Sequence, residues 1–213
     1  LKEGEAGYAA YQYMTYLSST IGTRLVGSEQ EAQAAAYIES AFKDMGLATA
    51  KLPFSYTRSG TTVNSQNVVA TKQGKSSRVV YVGAHYDSVS ASKGTDDNAS
   101  GVGVMLEAAK TVANADVPYT IKFIAFGGEE AGLRGSKDFV SKMTPEEIKN
   151  AVAMINLDSL AAGDNMHIYG SAGYEGFVRE LGLDIAERLK LNVTTQQGLN
   201  PESPAGTTGD WSD

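Results

Sequence analysis

The sequence predicts an α/β protein: a three-layer sandwich whose mixed, mostly parallel central sheet is flanked by helices. Three observations carry that expectation. The apolar, β-branched runs RVVYVGAHYDS (78–88), YTIKFIAFGG (119–128) and AVAMINLDS (151–159) read as strands buried on both faces. Segments with helical periodicity separate them, and helix-start signals open several of those segments. Neither an internal repeat nor a linker-like stretch interrupts the 213 residues, so one domain spanning 1–213 is expected.

Taken in order, residues 5–19 (EAGYAAYQYMTYLSS) read as an amphipathic first helix. Ser28 and Glu31 form an S-x-x-E capping box for an Ala-rich helix that runs to Met45 and stops at Gly46. The short runs near 49–57 and 65–72 alternate partially, as strands of a hairpin or sheet edge do, and Pro53 favours an edge. After the first buried run, residues 100–114 are helical in pattern. A further helix is expected over about 130–141, and Thr144-Pro145-Glu146-Glu147 opens another with proline at its first position. NMHIYG (165–170) reads as a short strand, residues 173–191 as a helix, and the stretch from Gly198 to Asp213 as loop.

Composition narrows the chemistry. Twenty-five Asp and Glu against 18 Lys and Arg give a net charge of −7. An acidic chain is a poor partner for a phosphate backbone, so no nucleic acid is expected. No apolar run approaches the roughly 18 residues that a membrane span needs. Zero cysteines remove disulfide scaffolds, thiol nucleophiles, zinc ribbons and iron–sulfur clusters. The G-x-S-x-G, P-loop and G-x-G-x-x-G patterns are missing, which removes the serine-hydrolase and nucleotide-binding readings. With only two histidines, any metal site must lean on carboxylates.

Sites in open α/β sheets lie beyond the carboxyl ends of strands. His85-Tyr86-Asp87 follows the first buried run, and Gly94-Thr95-Asp96-Asp97-Asn98 stands in the next loop. Gly127-Gly128-Glu129-Glu130 follows the second run, and Leu157-Asp158-Ser159 the third. One imidazole and several acids therefore gather along one edge, where they repel each other unless a cation sits among them. His85 and Asp87 are two apart on strand-like backbone and share a side, so Asp87 can accept the second imidazole N–H. Asp97, in a tight turn leading into a helix, suits a carboxylate that bridges two ions. Glu129 and Glu130 are neighbours that point apart on extended backbone, so one can bind metal while the other carries a proton.

HYDS, GTDDNASGVGVMLE, FIAFGGEEAGLRGS and INLDS, in that order, resemble the successive metal motifs of the M28 zinc peptidases, and most nearly those of the bacterial co-catalytic aminopeptidases. The likeness covers roughly residues 5–213. It implies that His85 and Asp158 bind one Zn2+, that Asp97 bridges to a second, and that Glu130 binds the second. It implies Glu129 as general base toward a metal-bridging water and Asp87 as the group orienting His85. The implied substrates are peptides with a free N-terminus, and the implied location is extracellular.

One departure matters. The family's second zinc takes a final histidine from an S-D-H motif, and this chain ends at Ser212-Asp213. A peptidase domain lacking its C-terminal part is expected, with that remainder, carried as a separate piece, as a candidate partner. Alternatives on the same fold are a single-zinc glutaminyl cyclase, a carboxypeptidase relative, or an inactive metal-depleted fragment. No acids cluster near His167 in sequence, so it is read as an ordinary polar residue. The Asn192-Val193-Thr194 sequon is read as chance.

Overall fold

The computed structural model describes residues 1–163, 165–170 and 176–195. It divides into two compact units, the first covering Leu1–Ala161 and the second beginning at Ala162. In the first unit the helices are α1 (Tyr8–Thr15), α2 (Glu29–Asp44), α3 (Gly101–Val112), α4 (Arg134–Ser141) and α5 (Pro145–Asn150). The strands are β1 (Ala48–Arg58), β2 (Thr61–Lys72), β3 (Ser76–His85), β4 (Tyr119–Phe126) and β5 (Ala151–Asn156). In the second unit β6 (Met166–His167) pairs in parallel with β7 (Val193–Thr194), and α6 (Phe177–Leu189) lies between them in sequence.

The five strands form one sheet in the order β1-β2-β4-β3-β5. It is mixed: β1–β2 and β2–β4 are antiparallel, while β3–β4 and β3–β5 are parallel. The register aligns the strand ends. His85 lies opposite Phe126, and Gly83 opposite Asn156, so the chain leaves β3, β4 and β5 at one edge. Because β2 runs the other way and pairs Val68 with Ala125, its residues Gln66 and Asn67 reach that same edge.

Alternation along the strands builds two cores. Val68, Ala70, Ala84, Phe123 and Ala125 face α2 and α3, packing against Ile38, Phe42, Met105 and Leu106. Val69, Tyr81, Ile124 and Phe126 face the other way and pack against Phe139 of α4 and Met143. Helices thus cover both faces, which is the three-layer sandwich expected.

Local signals account for most boundaries. Ser28 Oγ accepts the Glu31 N–H at 3.1 Å, capping α2. Only half of the box forms, because the Glu31 carboxylate accepts instead from the Gly27 N–H and the Ser65 hydroxyl, each at 2.6 Å. The box at Thr144 is complete. Among the described residues, no helix is long and apolar enough to cross a membrane.

Four expectations need correction. AVAMIN is a strand, but none of its residues is buried, since β5 pairs only with β3 among the described strands. A β-branched run looks the same at a sheet edge as at its centre. The helix expected from about residue 130 begins at Arg134, because Gly132 and Leu133 N–H both return to the Glu129 carbonyl and close a turn. The first helix keeps regular turns only to Thr15 and then widens into a π-helical stretch over Tyr16–Ile21. The two short strands are also longer than expected, extending to a tight turn with positive φ at Ser59 and Gly60. The expected loop from Gly198 to Asp213 lies outside the described residues.

Glu31 provides a test of this packing. Its side chain is buried beneath the β4 exit, and desolvation raises its pKa from 4.5 to about 7 against the pull of the Ser65 and Gly27 hydrogen bonds. The folded state therefore holds a proton that the unfolded chain has already lost, and stability falls as pH rises from about 4.5 to about 7. Glu31→Gln removes this titration. The difference in urea stability between wild type and variant should change by on the order of 3 kcal/mol across that window. A pH-independent difference would show that Glu31 is not desolvated as described.

Candidate metal centre

The site is assembled at the aligned strand ends. His85 closes β3 with its side chain 2% exposed. Its Nε2 lies 3.1 Å from Asp97 Oδ1, 3.7 Å from Asp158 Oδ2 and 3.9 Å from Glu129 Oε2. Its Nδ1 lies 3.6 Å from Asp87 Oδ1, beyond hydrogen-bond length, with no hydrogen-bond partner. Burial pushes the imidazole toward its neutral form. Asp158, Asp87 and Asp97 outweigh that and hold its pKa well above the ordinary value.

Asp87 is fully buried, and the expected hydrogen bond to the second imidazole N–H is not made; its oxygens bond elsewhere. Its Oδ1 accepts the Glu129 N–H at 3.0 Å and its Oδ2 the Glu130 N–H at 3.1 Å. The carboxylate after β3 thus fixes the backbone of the turn after β4. Asn67 on β2 holds the same turn from the other side, accepting the Gly127 N–H and donating to the Gly135 carbonyl. Glu129 and Glu130 therefore stand on a clamped turn rather than on the extended backbone expected. Glu129 is buried and Glu130 half-buried.

Asp97 stands in the turn Thr95–Ser100, which follows Gly94. Gly94 has φ +58, and a Cβ there would lie 2.6 Å from Arg24 Nη2, so glycine is required on both counts. Arg24 is wholly buried and donates to the carbonyls of Leu17, Gly22, Tyr86, Lys93 and Gly94. Desolvation lowers its pKa to about 10, still charged at neutral pH, with Asp87 and Asp97 supporting the charge. Beyond tying three loops together, it is a buried cation beneath the carboxylates.

His85, Asp97 and Asp158 each present one ligand atom, all within 4.8 Å of one another. Glu130 is outside that trio. Its Oε1 is buried without a hydrogen-bond partner, and burial, followed by the charge of Asp97, raises its pKa to about 7. Imidazole nitrogen with carboxylate oxygens is a donor set that zinc accepts. An orphaned carboxylate oxygen facing like charges is what a cation would relieve, so these residues fit a divalent metal. Sequence reasoning did not single out Arg24, Asn67 or Asn98. Their types carry no metal signal, and their partners are backbone atoms 60 or more residues away for Asn67 and for most of Arg24's bonds. His167 lies in the second unit, stacked on Tyr169 at 5.9 Å.

A mixed sheet covered by helices, with an imidazole and carboxylates at its strand ends, defines an α/β sandwich with its site at the sheet edge. The sequence matches peptidase family M28 over residues 67–208, and the chain belongs to that family. It is similar to the alkaline phosphatase isozyme conversion protein of Escherichia coli (strain K12), 32% identical over 211 residues covering 86% of this chain and 61% of that protein. It is 34% identical to aminopeptidase YwaD of Bacillus subtilis (strain 168) over 158 residues, covering 70% of this chain and 35% of that protein. The chain thus spans less than two thirds of the length of either relative. The solved structure of BSAP, a zinc aminopeptidase from Bacillus subtilis, superposes with a TM-score of 0.81 at 20% identity, covering 90% of this chain and 80% of that one. A glutaminyl cyclase of Porphyromonas gingivalis superposes with a TM-score of 0.72 at 18% identity, covering 91% and 83%. These two likenesses are of fold.

The pair of hydrogen bonds that Asp87 accepts from the Glu129 and Glu130 N–H groups can be tested apart from any metal. Asp87→Asn keeps one acceptor oxygen and sets an amide NH2 against the other N–H. The metal-free variant should lose about 2 kcal/mol of stability in urea unfolding, the scale of a buried charged hydrogen bond left unmade. An unchanged midpoint would remove the brace from this account.

Proposed function

We propose that the chain carries zinc-dependent aminopeptidase chemistry, hydrolysing the N-terminal bond of peptides with a free amino terminus. The observation that carries the reading is the buried Glu129 beside the His85, Asp97 and Asp158 cluster, in a chain of the M28 family. The names of the aminopeptidase relative and of the zinc aminopeptidase of like fold support it. His85 and Asp158 would hold one zinc, Asp97 would bridge, and Glu130 would hold a second.

Zinc, when bound, supplies Lewis acidity toward a carbonyl oxygen and toward water. The remaining work belongs to the chain. Asp87 faces His85 and pins the Glu129 backbone, so the Glu129 carboxylate is held in one place. It accepts a proton as the water oxygen bonds to the scissile carbonyl carbon, and returns it to the amine nitrogen as the C–N bond breaks. Burial of Glu129 keeps solvent from competing for that proton. An extracellular location belongs to the same reading.

A second reading is cyclisation of N-terminal glutamine, favoured by the fold likeness to a cyclase. Assays of an aminoacyl anilide and a Gln-peptide, with zinc measured on the same samples, separate the two. Anilide hydrolysis that a chelator abolishes and zinc restores is expected, and turnover of the Gln-peptide alone would overturn the aminopeptidase reading. Glu129→Ala should keep its zinc while hydrolysis falls about 100- to 10,000-fold. Hydrolysis retained in that variant would remove Glu129 as the base.

A further inference from the structure

Asp97 and Asp158 belong to different loops, and a shared cation binds well only if those loops keep a fixed spacing. The hydrophobic core fixes it only in part, through Leu157 beside Asp158. The Asp97 side chain is 54% exposed, and Asp158 follows a strand with no buried residue. A side chain next to Asp97 adds to it.

Asn98 is wholly buried. Its Nδ2 donates to the Leu157 carbonyl at 2.9 Å, and its Oδ1 accepts the Ser159 N–H at 3.3 Å and the Gly101 N–H at 3.0 Å. One amide therefore grips the residues on both sides of Asp158 while its own backbone adjoins Asp97. Its neighbours extend the grip. Ser100 Oγ accepts the Leu160 N–H at 2.8 Å, and Asp96 Oδ1 accepts the Ala161 N–H at 2.7 Å. At Gly101 a Cβ would overlap both the Leu157 carbonyl and Asn98 Oδ1, so the approach needs glycine. Ser159 sits at φ 52, a conformation that non-glycine residues adopt only when the surroundings impose it.

We propose that Asn98 is a positioning residue that sets the separation of Asp97 and Asp158, and with it the affinity of the cation they share with His85. This rests on the reading of those three residues as metal ligands. Asn98 itself need touch neither metal nor substrate; it acts through the backbone on either side of Asp158. Side-chain partners that hold metal ligands in place typically change affinity ten- to hundredfold when removed.

The test uses the full chain, stripped of metal and titrated with zinc against a chromophoric chelator. Asn98→Ala should bind zinc about ten- to hundredfold more weakly than wild type. Asn98→Ser, which keeps a hydroxyl near the Gly101 N–H but cannot span to Leu157, should show the same loss and serves if the alanine variant does not fold. Glu107→Gln is the control. It weakens the bonds to the Gly7 and Ala10 N–H at the start of α1, leaves every hydrogen bond of Asn98 in place, and should leave zinc affinity unchanged.

Folded Asn98 variants that bind zinc within twofold of wild type overturn the proposal, as does an equal loss in Glu107→Gln. If wild type binds no zinc, the aminopeptidase reading fails and the clamp is judged by amide exchange in the metal-free chain. Faster exchange at Ser159, Leu160 and Ala161 in Asn98→Ala then supports the clamp, and unchanged exchange there overturns it.

Discussion

Carboxylates gathered around one buried imidazole repel each other, and the architecture of this edge follows from that repulsion. The register of β3, β4 and β5 brings Asp87, Glu129, Glu130 and Asp158 out of the sheet at the same level, with Asp97 arriving from a loop. The imidazole can carry one positive charge among them. Against its own burial the imidazole pKa is raised by Asp158, Asp87 and Asp97, and its hydrogen bond lowers the pKa of Asp97. Burial, followed by the charge of Asp97, raises the pKa of Glu130, which is left short of a cation. Arg24 supplies a further charge from below, but its guanidinium bonds are spent on five carbonyl oxygens rather than on carboxylates. The shortage is local to the ligand cluster, where a divalent ion would remove it.

A cluster under mutual repulsion holds its shape only if the backbone beneath each acid is fixed by something else. Beside backbone bonds, the fixtures here are polar side chains bonded to backbone. Asp87 and Asn67 hold the Gly127–Glu130 turn, Arg24 holds the Lys93–Gly94 approach to Asp97, and Asn98 holds Leu157 and Ser159. These groups are buried, so their bonds are made in a medium where leaving them unmade is costly. Asp87 has a double role, facing His85 with one oxygen and satisfying two amide protons with both. Replacing it therefore disturbs the imidazole and the turn together.

The parts of this arrangement that sequence reasoning reached are those with a local signature. The runs ending at His85 and Phe126 announce central strands by their apolar continuity, and the acids beyond them are placed by that alone. Thr144 and Ser28 announce helix starts through short-range hydrogen bonds. What was not legible depends on distant partners. Nothing in AVAMIN tells an edge strand from a central one, because the difference is whether another strand pairs beside it. Nothing around Arg24 or Asn67 marks them as braces, because their partners are backbone atoms far along the chain. Even the Glu31 carboxylate, three residues after Ser28 as a capping box requires, bonds Ser65 on β2 instead of the cap backbone.

Among the described strands β5 pairs only with β3, which adds to the demand for a clamp at Asp158 beside those on the other site loops. Loops after β3 and β4 leave strands buried between two cores, so their first residues inherit the rigidity of the packing. Among the described residues β5 pairs with β3 alone and buries none of its residues, so the packing that reaches Asp158 comes through its neighbour Leu157, which lies against the core. Hydrogen bonds from the Asp96–Ser100 turn to Leu157, Ser159, Leu160 and Ala161 add to that packing. The turn that carries Asp97 thereby also fixes Asp158. Two carboxylates that topology places on separate loops are thereby tied together, as a cation shared between them would require.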